Sequence, residues 1–206
     1  MQKLSREDKR AAILDAADTL FGGRGFAGVS MRDVAQEAGL NKALLFYYFG
    51  GKDALFEAVL QRYYAAHREV LAAAFAAEGP TSERLHRGID AYLDFIEANQ
   101  RYPRLVQSVV TSSPEHHPLV EQNLTALFTF VAQAVRDIAP ESGPQSARHL
   151  FVTLSGAVVN YFTYAGVLDE IWDADPMSEA GLAERRTHIH WLVQTLLDAL
   201  AAAPEP

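Results

Sequence analysis

An all-α fold is predicted by three features of this 206-residue sequence. Apolar residues recur at helical spacing almost throughout, the breaks are short Gly/Pro/Ser clusters, and no stretch alternates apolar with polar residues as a half-buried strand does. With 49% hydrophobic residues the chain has enough apolar bulk for one generous core or two modest ones. The expected arrangement is a three-helix N-terminal unit with a helix-turn-helix, then an antiparallel helical bundle, about nine helices in all.

Each element has its own signal. The first helix is expected from Ser5, a cap with Asp8 three residues on, through Ile13, Ala16, Ala17, Leu20 and Phe21, stopping at "GGRG". A second, short helix begins at Ser30, with Asp33 at the capping-box position, buries Val34, Ala35 and Ala38, and ends at Gly39. A third starts at the N-cap Asn41 and ends near Phe49, where Gly50 and Gly51 break the chain. A long helix then runs from Lys52 to about Ala77. Beyond "EGPTSER" the pattern predicts a helix from about Ser82 to Asn99, a short one after Pro103, and another from Pro118 to about Ala139. The last two span residues 146–168 and 178–201. The domain boundary is expected at 51/52, giving units 1–51 and 52–206.

Charge divides the chain at the same place. The net charge is −8, yet residues 1–52 hold eight basic residues, including all four lysines, against six acidic ones. The remainder carries ten basic and twenty acidic residues. A polyanion approaches only the first quarter. The absence of cysteine excludes disulfide staples and thiolate catalysis and fits a reducing cytoplasm. The N-terminus is charged from the start and lacks the apolar core of an export signal, so a cytoplasmic location is expected. Residues 150–168 carry no charge, close to the roughly 20 residues a membrane-spanning helix needs. Thr153, Ser155, Asn160 and Thr163 interrupt that stretch, so it is read as a buried interface helix, with no membrane partner.

The short helix, glycine turn and short helix at residues 30–49 meet the demands of a helix-turn-helix. Ala35 is small where two helices cross steeply, Gly39 tolerates positive φ at the turn, and Val34, Leu40, Leu45 and Tyr48 supply inward bulk. Rotating 100° per residue from Leu45 sends Phe49 and part of Tyr48 inward and Ala43 and Tyr47 outward, with Leu44 and Phe46 flanking. The four consecutive aromatics are thus split between core and surface. In a second helix that enters the major groove, outward residues near its N-terminus reach base edges. The phenol of Tyr47 or Tyr48 suits a phosphate, and Lys52 adds charge at the start of the next helix.

The first 56 residues resemble the DNA-binding domain of the TetR (tetracycline-repressor-like) family of bacterial transcription regulators, through the string "ILDAADTLFGGRGFAGVSMRDVAQEAGLNKALLFYYFGGKDALF". The resemblance implies that Ser30, Arg32, Lys42, Ala43, Leu44, Phe46, Tyr47, Tyr48 and Lys52 contact DNA. Ser30, Tyr48 and Lys52 are then expected on phosphates, and Arg32, Lys42, Ala43 and Tyr47 nearest base edges. Leu44 departs from the hydroxyl residue usual in the family, which turns that contact apolar, suited to a thymine methyl. Gly51 replaces the usual serine before the lysine, at a cost of a few tenths of a kcal/mol in capping.

The same resemblance implies a C-terminal bundle that binds a ligand and dimerises. The last two long helices present Phe151, Leu154, Ser155, Val158, Phe162, Ile189, Leu192 and Leu196, expected in a four-helix two-fold interface of a homodimer. Tyr63, Tyr64, His67, Tyr92, Phe95, Phe128 and Phe130 are candidates to line a site for a predominantly apolar or aromatic effector, since no basic cluster marks an anionic one. His188 and His190 diverge by about 160° on a helix, His86 and Asp90 form an i, i+4 pair, and His116 and His117 sit in a loop beside Glu115. All are read as surface residues, with no metal, no cofactor and no catalytic constellation expected. The expected function is a homodimeric repressor released from a palindromic double-stranded DNA operator by a small molecule, and not an enzyme. A different class stays open: an all-α small-molecule or lipid carrier, or an enzyme, whose N-terminal unit is structural.

Overall fold

The computed structural model describes residues 5–202, and within them the chain is helical with no strand. Nine α-helices follow in order: α1 Arg6–Arg24, α2 Met31–Glu37, α3 Lys42–Phe49, α4 Lys52–Ala76, α5 Thr81–Ala98, α6 Tyr102–Ser112, α7 His117–Ala134, α8 Ala147–Trp172 and α9 Glu179–Ala201. A 3-10 turn, Pro114–His116, joins α6 to α7. The chain divides into two compact units. One is formed by the chain up to Ala65 with Arg104–Glu121, the other by Ala66–Pro103 with the chain from Gln122 on.

In the first unit the caps set where the helices begin. Asp8 N–H donates to Ser5 Oγ (3.0 Å) while Ser5 N–H donates to Asp8 Oδ2 (2.9 Å), a reciprocal capping box at the start of α1. Ser30 and Asp33 repeat it at α2, and Asn41 Oδ1 accepts from Ala43 N–H (2.8 Å) at α3. α1 runs on through Gly22 and Gly23 and ends only at Gly25, whose N–H bonds to the Phe21 carbonyl. Between α2 and α3 the chain turns at Gly39 with φ +64°, the left-handed region that strains a residue with a Cβ. Ile13, Ala17, Phe21, Val34, Leu45, Phe56 and Leu60 fill the core, joined by Leu105 and Val109 from the returning segment. Phe21, Phe26 and Phe56 pack with centroids 4.9–6.0 Å apart. Tyr63 on α4 donates its hydroxyl to buried Asp18 on α1.

In the second unit, α5 carries Leu85, Ile89, Leu93 and Ile96, and α9 carries Ile189, Val193, Leu197 and Leu200, all buried and spaced 4, 4 and 3 residues apart. These matched stripes pack α5 on α9. A polar seam runs beside them. Arg186 reaches Asp90 (2.9 Å), Asp94 (2.6 Å) and Glu97 (2.9 Å), His190 Nε2 lies 2.8 Å from Asp90, and the Nδ1 atoms of His86 and His190 are 2.7 Å apart. Burial pushes the Asp90 carboxyl up, but hydrogen bonds from His190 and Arg186 outweigh it and hold the group below its ordinary range. Gly88 on α5 admits Phe75: a Cβ there would stand 2.5 Å from the Phe75 ring, which in turn stacks on Phe130 at 5.9 Å. α8 runs four residues past its expected end, to Trp172, where Asp173 adopts a left-handed conformation. Tyr161 on α8 donates to the Pro176 carbonyl (2.7 Å), fixing the turn into α9.

Candidate nucleic-acid interface

The outer face of α3 is built by burying the inner one. Leu45 is fully buried and Phe49 nearly so, which fixes the rotation of the helix. That rotation leaves Lys42, Ala43, Phe46 and Tyr47 exposed, Tyr47 at 70%, with Leu44 and Tyr48 half-buried on either side. The helix-turn-helix is made by α2 and α3, with α1 packed on α2.

Cations edge the aromatic surface. Lys42 Nζ lies 5.5 Å from the Phe46 ring centroid, and the Arg6 guanidinium lies 5.9 Å from that of Tyr47. Arg10 stands 5.2 Å from the Phe49 ring, and Lys52 Nζ sits 4.2 Å from the Phe26 ring at the first turn of α4. Arg6 and Arg10 were not picked out in the sequence. Their i, i+4 spacing on a capped helix was the available signal. Arg32 is exposed at the start of α2. Ser30 differs from its expected role in one respect, because its hydroxyl donates to Asp33 Oδ2 (2.6 Å) and its N–H donates to the same oxygen (2.8 Å). Those two bonds, the hydroxyl's first, hold the Asp33 carboxyl below its ordinary range. A phosphate bonded by the Ser30 hydroxyl has to displace that carboxylate.

Residues 13–59 match the model of the family described as bacterial regulatory proteins, tetR family. That match makes the N-terminal segment similar to the tetR family. The chain is 32% identical over 104 residues to the HTH-type transcriptional activator FasR of Mycolicibacterium smegmatis, a match covering 50% of this chain and 48% of that one. It is 51% identical over 55 residues to an HTH-type transcriptional repressor of Mycobacterium tuberculosis, covering 27% and 29% of the two chains. The chain thus matches these curated relatives over half their length or less. A solved TetR-like transcriptional regulator from Rhodococcus sp. RHA1 shares the fold over 98% of this chain and 100% of its own, with a TM-score of 0.74 at 23% identity.

The remaining candidates separate into distinct settings. Tyr63 and Tyr64 are buried in the first unit. In the second, His67 on α4 is stacked between Phe95 (4.5 Å, 5°) and Tyr92 (4.9 Å, 12°) of α5, with Tyr102 edge-on at 5.9 Å. Phe130 stacks on Phe75, and Phe128 meets Phe151 edge-on at 5.8 Å at the end of α7. His67 is 1% exposed and neither ring nitrogen has a hydrogen-bond partner. Burial first, then the charge of Arg68, pushes its imidazole down to about 4.

Two expectations are corrected by burial. Val158, Phe162 and Ile189 are 0–3% exposed within the chain's own core, while Leu154 and Leu196 are half-buried and line an apolar crevice with Leu85, Val131 and Leu150. Phe151 packs on Phe128, Ser155 Oγ donates to the Phe151 carbonyl of its own helix (2.7 Å), and Leu192 is half-buried. Periodicity had found the stripe that faces the core. The uncovered stripe of α8 is Val152, Gly156, Asn160, Tyr164, Val167 and Ile171, within an arc of about 120°, and α9 adds Trp191 at 60% exposure. The second correction is His116. Expected at the surface, it is 2% exposed between Phe26 and Phe56, with Glu57 Oε1 3.4 Å from its Nδ1.

Proposed function

We propose that this chain is a homodimeric, ligand-responsive transcription regulator that reads a palindromic double-stranded DNA operator with α3 and acts as a repressor in the cytoplasm. The exposed face of Lys42, Ala43, Phe46 and Tyr47, flanked by Arg6, Arg32, Tyr48 and Lys52, carries this reading. It sits in the first quarter of the sequence, which carries net positive charge while the remainder is net negative. Tyr47, Lys42 and Ala43 serve base edges, Leu44 a thymine methyl, and Tyr48, Lys52 and Ser30 the phosphates.

A second copy is the natural cover for α8. Its most apolar 18-residue window has a mean hydropathy of 1.4 and is only 28% buried, long and apolar enough to cross a membrane. Asn160 within the uncovered stripe and Arg185 and Thr153 beside it share a depression of about 470 Å³, a composition suited to another protein surface and not to lipid. Two-fold pairing through this face gives two reading heads for half-sites about 34–36 Å apart or a multiple of that. α4 contributes residues to both units, so a ligand that shifts its second half has a continuous helix leading to Lys52. A coupling of about 1–3 kcal/mol changes occupancy roughly 5- to 150-fold.

Gel shift with the DNA flanking its own gene tests the reading. A sequence-specific band that weakens steeply as salt rises is expected, and Tyr47→Ala weakens it while melting within a few degrees of the wild type. No specific band with any promoter fragment refutes the regulator and favours a carrier or enzyme.

A further inference from the structure

The second unit buries polar atoms that its own helices leave unanswered, and Tyr102 touches the two residues that carry them. His67 is 1% exposed with both ring nitrogens unpartnered. Asn123 on α7 is 2% exposed; its Nδ2 donates to the Tyr102 hydroxyl (3.3 Å), and its Oδ1 has no partner. The Tyr102 ring stands nearly perpendicular to that of His67, centroids 5.9 Å apart. Stacked rings and packed apolar helices surround this cluster, where an unanswered polar atom is destabilising.

The donor and acceptor count defines what fits. A neutral imidazole offers one N–H and one acceptor nitrogen, and Asn123 adds an acceptor oxygen. The three open positions therefore seek two donors and one acceptor. An ionised carboxylate brings acceptors only and answers one of them. It also places an anion among aromatic rings and an uncharged histidine, against the rule that buried charge needs a paired counter-charge. A hydroxyl both donates and accepts, so it can accept from the imidazole N–H or donate to Asn123 Oδ1, and it answers either anchor without bringing charge. The stacked Tyr92 and Phe95 rings favour a flat apolar body.

We propose that His67 and Asn123 are the polar anchor of the effector site, and that the effector is an uncharged molecule with an aromatic or apolar body bearing a hydroxyl or comparable donor-acceptor group. This rests on the regulator reading for its biological meaning, but binding is measurable without DNA.

Three probes of matched body separate the chemistries: hexylbenzene, 4-hexylphenol and 4-hexylbenzoate, titrated calorimetrically into the full-length protein at neutral pH. The phenol is expected to bind about tenfold or more tightly than either of the others. His67→Phe keeps the ring stack and removes the unanswered nitrogens, so it is expected to melt at the same or a higher temperature while the preference for phenol over hexylbenzene disappears. Asn123→Leu is expected to reduce the same preference. Tighter binding of the benzoate, phenol binding unchanged in His67→Phe, or no binding of any probe overturns the proposal. A loss of stability in His67→Phe with unchanged selectivity shows a structural histidine and also overturns it. Selective phenol binding by a protein that ignores DNA refutes the regulator alone, and a specific DNA band with reversed probe selectivity refutes this inference alone.

Discussion

His67 shows how much one residue's burial decides. Its imidazole titrates near 4 in the folded chain against an ordinary value of 6.5. The unfolded state therefore binds the extra proton between those values, and stability rises with pH across that interval. The contribution is complete above about pH 6.5 and is lost as pH falls toward 4, on the order of 3 kcal/mol in all. Urea unfolding at pH 7 and pH 4.5 measures it, and His67→Phe should flatten that part of the profile. Sequence placed His67 among pocket candidates but had no means of showing that its nitrogens lack partners, because that depends on which helices arrive around it. His116 makes the same point from the other side. A histidine next to Glu115 and His117 reads as surface, and only the return of residues 104–121 onto Phe26 and Phe56 buries it.

At the level of elements, starts were far easier to read than ends. Ser5 with Asp8, Ser30 with Asp33, and Asn41 were visible as caps because a cap is local chemistry between residues two or three apart. Ends depend on tertiary packing, so α1 continued through "GGR" and α8 continued through Asp169 and Glu170 to Trp172. The turn between α2 and α3 was also legible, since only Gly39 suited a positive φ there. Gly39→Val is expected to destabilise by about 1–2 kcal/mol through backbone strain alone, read as a lower urea midpoint with unchanged slope. An unchanged midpoint would mean that the turn relaxes out of the left-handed region.

For the whole molecule, charge and periodicity gave different amounts of information. Charge marked the basic N-terminal part, the proposed DNA-facing one, from composition alone, because a long-range field needs no contact geometry. Periodicity identified α8 and α9 as two-faced and picked out their buried stripe, since Asn160, Thr153 and the small Gly156 disguise the uncovered one. If that stripe pairs two copies, Ile171→Glu with Trp191→Glu yields a folded monomer in sedimentation velocity whose specific DNA affinity is strongly reduced. A double variant that still sediments as a dimer places the interface elsewhere.

The unit that carries α3 also contains Arg104–Glu121, which supplies Leu105, Val109 and His116 to its interior. A fragment ending at the boundary read from the sequence, residue 51, lacks these side chains and the whole of α4. During synthesis, that unit stays incomplete until residue 121 has left the ribosome. A nascent chain halted earlier lacks the segment that packs on Phe26 and Phe56, so emergence of residue 121, and not only of the first fifty residues, sets when this unit can complete its core.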